Sequence, residues 1–168
     1  MKKQIMLSIL VLAVLVFAAC GSSPTPSYSS APSQQDQNRL LERALWDRNI
    51  NGVRSAIANG ANINYRYTFN STPLILACQQ LNEKLPDFEI AKFLIDRGAD
   101  VNLRNDLNST ALTLAASNNQ TAIVKYLVEH GASINVRDNN GKAAVNYAYD
   151  RGEMEMYNYL LEHGAIEF

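Results

Sequence analysis

Residues 109–135 read STALTLAASNNQTAIVKYLVEHGASIN, and this stretch decides the fold. Its apolar residues are three and four positions apart, first from Leu112 to Ala116 and then from Ile123 to Leu127. That spacing places each group on one face of a helix. The sequence therefore predicts two short amphipathic helices, which are marginal alone and need a neighbouring unit to cover their apolar faces.

The same pattern recurs along the chain at a nearly constant interval. Gly-Ala pairs begin at Gly60, Gly98, Gly131 and Gly164, with separations of 38, 33 and 33 residues. The longer first interval predicts a five-residue insertion between the two helices of the second unit, around residues 80–88, where Pro86 fits the start of the second helix. A sustained period of 33 residues indicates repeats that stack around one continuous core.

Several motifs of this repeat resemble the ankyrin repeat, namely STPLILA at residues 71–77, STALTLAA at 109–116 and IVKYLVEHGA at 123–132. The resemblance covers residues 38–168, in units of approximately 38–69, 70–107, 108–140 and 141–168. It implies an all-α solenoid of about four helix-turn-helix repeats with short finger loops. The first unit lacks Thr-Pro, and the fourth has Ala143-Ala144 in its place. Such atypical ends suit caps, and Trp46 and the tyrosines of the last unit are interpreted as cap packing.

Individual residues also fit this architecture. Thr72 and Thr110 are predicted to cap the helices that follow them, and Pro73 is predicted at a first helical position, where its missing N–H is harmless. Asn70 and Asn108 occupy positions where glycine is expected. Asparagine tolerates the left-handed backbone better than most residues, so both are predicted to adopt it.

The resemblance further implies a protein-binding surface formed by the finger loops and the concave helices. Tyr67 and Phe69 are the predicted anchors, because exposed aromatic residues are enriched among binding hot spots. Arginines recur at matching positions of the three fingers. The predicted contact set is Arg66, Tyr67, Thr68, Phe69, Ser71, Gln79, Gln80, Arg104, Asn105, Asp106, Leu107, Ser109, Ser117, Asn118, Arg137, Asp138, Asn139, Asn140, Lys142, Asp150 and Arg151.

The amino-terminal segment differs from the rest of the chain. Two lysines precede residues 5–19, IMLSILVLAVLVFAA, which form an uncharged apolar run too short to span a membrane. This pattern predicts a signal peptide at residues 1–19. The end of this run together with the next residue, Phe17-Ala18-Ala19-Cys20, resembles the bacterial lipobox, which implies that Cys20 is lipidated and becomes the amino terminus of the mature chain.

Residues 20–37 connect this cysteine to the repeats and are rich in Ser, Pro and Gln. They carry too little apolar surface to bury, and we expect a flexible tether. The lipoprotein resemblance implies that Gly21, as the residue after the cysteine, is compatible with the outer membrane. The predicted location is therefore the outer membrane of a bacterium, with the repeats facing the periplasm.

The composition argues against several function classes. A formal net charge of -1 gives no electrostatic reason to bind nucleic acid. Cys20, Cys78, His130 and His163 do not match a zinc site, and the equivalent positions of the histidines favour a structural role. Cys78 is interpreted as a buried inert thiol. No nucleophile and base can be paired, so we expect a non-catalytic monomer without cofactor or metal.

The predicted function is a lipid-anchored protein–protein interaction module of the bacterial envelope. Three roles remain open for it: a scaffold or adaptor, an immunity-type protein that neutralises a secreted toxin or enzyme, and an accessory to an envelope enzyme. The rival class is an envelope protein that handles small molecules or metals. That class requires a concave pocket with converging polar groups, which no motif predicts.

Overall fold

The computed structural model describes residues 32–79 and 87–167. The predicted signal peptide, Cys20 and the tether up to residue 31 lie outside these residues, as do residues 80–86 of the predicted insertion. Within the described part of the chain, no helix is both long enough and apolar enough to cross a membrane.

The described residues form eight α-helices in four consecutive pairs. The pairs are α1 Gln34–Trp46 with α2 Ile50–Ala58, α3 Pro73–Cys78 with α4 Phe88–Asp96, α5 Ala111–Ser117 with α6 Thr121–Glu129, and α7 Ala144–Asp150 with α8 Met154–Glu162. Each helix contacts its partner in the pair and the corresponding helix of the next pair. The helices therefore stack in two layers, α1, α3, α5 and α7 in one and α2, α4, α6 and α8 in the other, which confirms the predicted all-α solenoid.

The core runs through the stack from one end to the other. Leu45 of the first pair, Leu112 and Leu127 of the third and Leu160 of the last are all fully buried. Each such leucine contributes about 1.5 to 3 kcal/mol through its removal from water. Because helices of six to nine residues, such as α3 and α6, are too short to persist alone, this burial between neighbouring pairs holds them folded.

The helix starts follow the predicted caps. Thr72 and Thr110 each accept a hydrogen bond at 3.3 Å from an N–H in the first turn of the following helix, and Pro73 is the first residue of α3. Helix α7 has Ala143 at the equivalent position and lacks this cap. There the Asn146 side chain accepts the Ala143 N–H at 2.9 Å instead.

The loops before these helices use the left-handed backbone where it was predicted. Asn70 has φ 53°, Asn108 has φ 56° and Gly141 has φ 74°. The three residues occupy equivalent repeat positions, so asparagine replaces glycine here because its short polar side chain tolerates this conformation.

Two boundaries differ in detail from the prediction. Helix α1 begins at Gln34, inside the predicted tether, because Ser33 and Asp36 form a capping box in which each side chain accepts the other's N–H. Helix α4 begins at Phe88, capped by Asp87, and so starts after Pro86 rather than at it. Residues 79–87 separate α3 from α4 whereas residues 118–120 separate α5 from α6, which agrees with the predicted place of the insertion.

Candidate protein-binding surface

Three finger loops, residues 64–70, 102–108 and 135–141, form a row along one side of the stack. Backbone hydrogen bonds join each finger to the next: the Asp106 N–H donates to the Phe69 carbonyl, and the Asn139 N–H donates to the Leu107 carbonyl, both at 3.0 Å. Side chains add to these links, since the Asn70 amide donates to the Asp106 carboxylate at 2.6 Å. The fingers are thus held in one fixed register.

The arginine row was predicted to contact a partner, and the structure gives two of its members another role. Arg66 Nη1 donates to the Asn70 carbonyl at 3.1 Å and to the Arg104 carbonyl at 2.6 Å. Arg137 Nη1 donates to the Gly141 carbonyl at 2.5 Å. These guanidinium groups hold the finger backbone in place, whereas the Arg104 side chain is exposed, and contact of this row with a partner stays a prediction.

Four other predicted contact residues are buried, namely Ser71, Asn105, Ser109 and Asp138. Asn105 Oδ1 accepts the N–H groups of Leu107 and Ser109, at 3.0 and 2.9 Å. Asp138 Oδ1 accepts the corresponding N–H groups of the third finger, at 2.9 and 3.1 Å. These side chains satisfy loop donors that have lost access to water, so they shape the finger backbone.

Tyr67, one of the two predicted anchors, is also a structural residue. It is half-buried, and its hydroxyl donates to the Asn38 carbonyl of α1 at 2.9 Å. Burial, with a smaller contribution from Glu42, raises the pKa of the Tyr67 hydroxyl above its ordinary range. The hydroxyl therefore stays protonated and ties the first finger to α1. Phe69, the other predicted anchor, is exposed.

The predicted residues beyond the fingers are largely occupied by contacts within the stack. Asn118 donates to the Cys78 carbonyl at 3.0 Å, and Ser117 donates to a carbonyl of its own helix at 2.9 Å. Lys142 and Asp150 form an ion pair at 2.7 Å. Arg151 is exposed at the last pair of helices, and Gln80 lies outside the described residues.

A groove of about 580 Å³, which we call the finger groove, is lined by the first two fingers and by α1 and α3. Three of its apolar side chains remain exposed: Trp46 is 38% exposed, Phe69 72% and Leu107 58%. The predicted residues brought together there are Tyr67, Thr68, Phe69, Ser71, Gln79, Asn105 and Leu107. Exposed large apolar residues grouped in a concave site are typical of a protein-binding surface.

A second cavity, of about 510 Å³, lies at the last pair of helices and contains Asp150 of the predicted set. Its walls are more mixed, with Asn146 and Glu167 beside Tyr149 and Tyr157. The two tyrosine rings lie against each other, with centroids 5.7 Å apart. Asp150 is already paired with Lys142, so this cavity offers fewer unoccupied groups than the finger groove.

The sequence prediction omitted Glu42 and Trp46, which α1 contributes to the finger groove. The signal for Trp46 was available, because it stands two residues after Ala44, as Gln79 stands two residues after Ala77. Contact positions at this place in the repeat were predicted only in the three units that follow a finger. Glu42 had no such signal, since the equivalent Ile75 and Thr113 are buried.

The histidines are arranged alike in two successive repeats. His130 Nδ1 lies 2.8 Å from the Tyr126 carbonyl and His163 Nδ1 lies 2.7 Å from the Tyr159 carbonyl, with each ring stacked on that tyrosine. This equivalence supports their structural interpretation. Across residues 32–79 and 87–167, no three His, Cys, Asp or Glu side chains are grouped so as to hold a metal ion.

These features define a class of protein: a stack of helix pairs that carries a row of finger loops with an apolar groove beside them. The family model described as "Ankyrin repeats (3 copies)" matches residues 81–167, just over half of the chain. The chain therefore belongs to the ankyrin repeat family, whose arrays are protein–protein interaction modules. No curated protein matches this chain.

Proposed function

We propose that this chain is a lipid-anchored interaction module of the bacterial envelope, and that it binds its protein partner in the finger groove. The anchor is the lipidated Cys20, and the module faces the periplasm from the outer membrane. It acts as a monomer without catalysis of its own. The proposal combines the family assignment with the lipoprotein-like sequence at residues 17–20.

The observation that supports this location of the binding site is the exposure of Trp46, Phe69 and Leu107 around one groove. The part of a large apolar side chain that stays in water contributes nothing to the stability of the free protein. Its burial against a partner releases about 25 cal/mol for each Å² of apolar surface covered. Aromatic side chains at the centre of such a site commonly dominate the binding energy.

Site-specific photocrosslinking in living cells tests this proposal. A photoreactive phenylalanine analogue placed at position 69 or 107 should crosslink a discrete protein, which mass spectrometry then identifies. The matched controls are positions 129 and 158, which are exposed on α6 and α8 and distant from the fingers in the repeat register. Crosslinks from the control positions alone, or from none of the four, would contradict the proposed binding site.

The identity of the crosslinked protein also decides among the three roles. A secreted toxin or degradative enzyme supports the immunity-type role, and deletion of this chain should then expose the cell to that toxin. An envelope enzyme whose activity changes on binding supports an accessory role. A structural envelope protein supports a scaffold.

A further inference from the structure

The finger groove carries information about the kind of protein segment that it binds, and this inference rests on the proposed function. The first observation is its charge. Glu42 is the one ionisable carboxylate among the residues that line the groove, and no ion pair or hydrogen bond of its side chain occurs within the described residues. The Arg48 guanidinium is turned onto the carbonyls of Leu76, Ala77 and Gln79 at the end of α3.

The second observation concerns the backbone register of the fingers. The Asp106 and Asn139 N–H groups each donate to the carbonyl of the preceding finger. Thr68 occupies the same position in the first finger, which has no finger before it. Its N–H has no acceptor among the described residues, and Thr68 borders the finger groove. An extended segment lying beside the first finger can supply the missing carbonyl, as a strand does when it adds to an open edge.

The third observation is the conformation of Phe69. Its φ of 58° lies in the left-handed region, which is strained for a bulky side chain. The equivalent residues Leu107 and Asn140 do not share this conformation. A strained backbone that presents an exposed aromatic ring does not serve the stability of the free chain. The strain therefore points to a role for the ring in binding.

We propose that the finger groove binds an extended protein segment in which a large apolar side chain neighbours a lysine or arginine. The apolar side chain packs on Trp46 and Phe69. The basic side chain pairs with Glu42, and a backbone carbonyl of the segment accepts the Thr68 N–H. Charge complementarity selects a basic segment over an acidic one, because a carboxylate beside Glu42 is repelled.

Selection from a displayed library of random twelve-residue peptides, with the folded mature chain as target, tests the chemistry without knowledge of the natural partner. The unaltered chain should enrich peptides that pair Trp, Phe or Leu with Lys or Arg. Glu42→Lys should shift the enrichment toward Asp or Glu beside the same apolar residues. Glu162→Lys, an exposed reversal on α8, should leave the original motif unchanged. No enrichment, or the same motif with Glu42→Lys, overturns the inference.

The backbone contact has its own pair of variants, measured with a synthetic peptide from that selection. Thr68→Pro removes the N–H and fits the chain, because Thr68 lies in a 3-10 turn and Tyr67 before it is extended at φ -84° and ψ -165°. Thr68→Ala removes the side chain but keeps the N–H. Loss of one hydrogen bond should weaken binding by about tenfold in Thr68→Pro only. Equal affinities in the two variants overturn this contact.

These outcomes can be distinguished from those that test the proposed function. Photocrosslinking from positions 69 and 107 reports a partner of any chemistry, whereas the peptide selection reports which chemistry the groove prefers. A crosslinked partner whose contact segment is acidic or purely apolar overturns the inference and leaves the proposed function standing. Failure of crosslinking together with an enriched basic-apolar motif contradicts the proposed cellular role and supports the inferred recognition chemistry.

Discussion

The Arg66 side chain donates a hydrogen bond to the backbone carbonyl of Arg104 at 2.6 Å and so ties the first finger to the second. The two residues occupy the same position of consecutive repeats, yet they have different structural roles. Arg66 contributes its guanidinium to the link, whereas Arg104 contributes its carbonyl. A side chain in one repeat thus stabilises the backbone of the next, which is how an array of short units acquires a continuous surface.

This difference predicts unequal effects for two identical substitutions. Arg66→Ala should lower the free energy of unfolding by about 1 kcal/mol, because it removes hydrogen bonds to two carbonyls. Arg104→Ala should change it by less than about 0.5 kcal/mol, as expected for an exposed side chain away from such contacts. Urea denaturation of both variants makes the comparison. Equal losses would contradict the assigned role of Arg66.

The conformation of Phe69 predicts that one substitution both stabilises the chain and abolishes partner binding. Phe69→Asn relieves a bulky residue of its left-handed conformation and removes a ring that is exposed in the free chain. The free energy of unfolding should rise by about 1 kcal/mol, since asparagine tolerates this conformation. Crosslinking of the partner from position 107 should be lost in the same variant.

The matched control is Tyr149→Asn, which removes an exposed aromatic residue from the other end of the array, where φ is ordinary. It should leave partner crosslinking intact and give no gain in stability. A destabilised Phe69→Asn variant would mean that the ring packs against the fold, and the argument from strain would fail.

Much of the fold could be predicted from the sequence because the repeat uses residue types that each favour one local backbone conformation. Thr72 and Pro73 mark a helix start, and Asn70 and Asn108 mark a left-handed turn, each by the conformations its own side chain permits. These signals act over a few residues. The period of 33 then aligned them, so the order of helices and loops followed without any knowledge of long-range contacts.

The binding surface was less predictable because a polar loop residue can either face a partner or accept hydrogen bonds from its own loop. Composition does not distinguish these two roles. Asn105 and Asp138 look like exposed fingertip residues, yet both are buried acceptors for loop N–H groups. Which use applies depends on where the backbone donors point. Likewise, Arg48 reaches the carbonyls at the end of α3 across a sequence separation of 28 to 31 residues, and no local pattern indicates this contact.

Asp138 predicts a specific dependence of stability on pH. Burial tends to raise the pKa of its carboxyl group, but hydrogen bonds from the Tyr147 hydroxyl and from the Lys142 and Asn140 N–H groups outweigh it, so the pKa lies below its ordinary value. The ionised group therefore stabilises the fold above the unfolded pKa of about 3.9. This contribution is lost as the pH falls through the lower folded pKa.

Asp138→Asn should remain folded, because Asn105 accepts the equivalent N–H groups in the second finger. At pH 7 the unaltered chain should be more stable than the variant by about 1 kcal/mol, the excess of a charged over a neutral acceptor. The difference should shrink as the pH falls below about 4. Urea midpoints across that range test it, with Glu162→Gln on the surface of α8 as the control that shows no comparable convergence.

Cys78 should react only when the chain unfolds. The thiol is fully buried, and burial raises its pKa to about 12, against a smaller opposing effect of Arg48. In a Cys20→Ser chain Cys78 is the remaining thiol. An aromatic disulfide reagent at pH 8 should label it no faster than the native chain unfolds, and should label it rapidly in denaturant. Asn158→Cys in a chain without Cys78 provides an exposed control. Rapid labelling of native Cys78 would show that the site opens locally.

The lipid anchor predicts different fates for the two cysteines of the chain in a bacterial host. Phe17-Ala18-Ala19-Cys20 follows an apolar run too short to span a membrane, so cleavage before Cys20 and acylation of its thiol should give a membrane-bound protein. Several acyl chains hold a protein firmly, at about 0.8 kcal/mol for each buried CH₂ group. Cys20→Ser should abolish incorporation of labelled palmitate and leave a larger precursor, whereas Cys78→Ser should keep the label. If the unaltered chain takes up no palmitate, or if both cysteine variants do, the anchor at Cys20 is excluded.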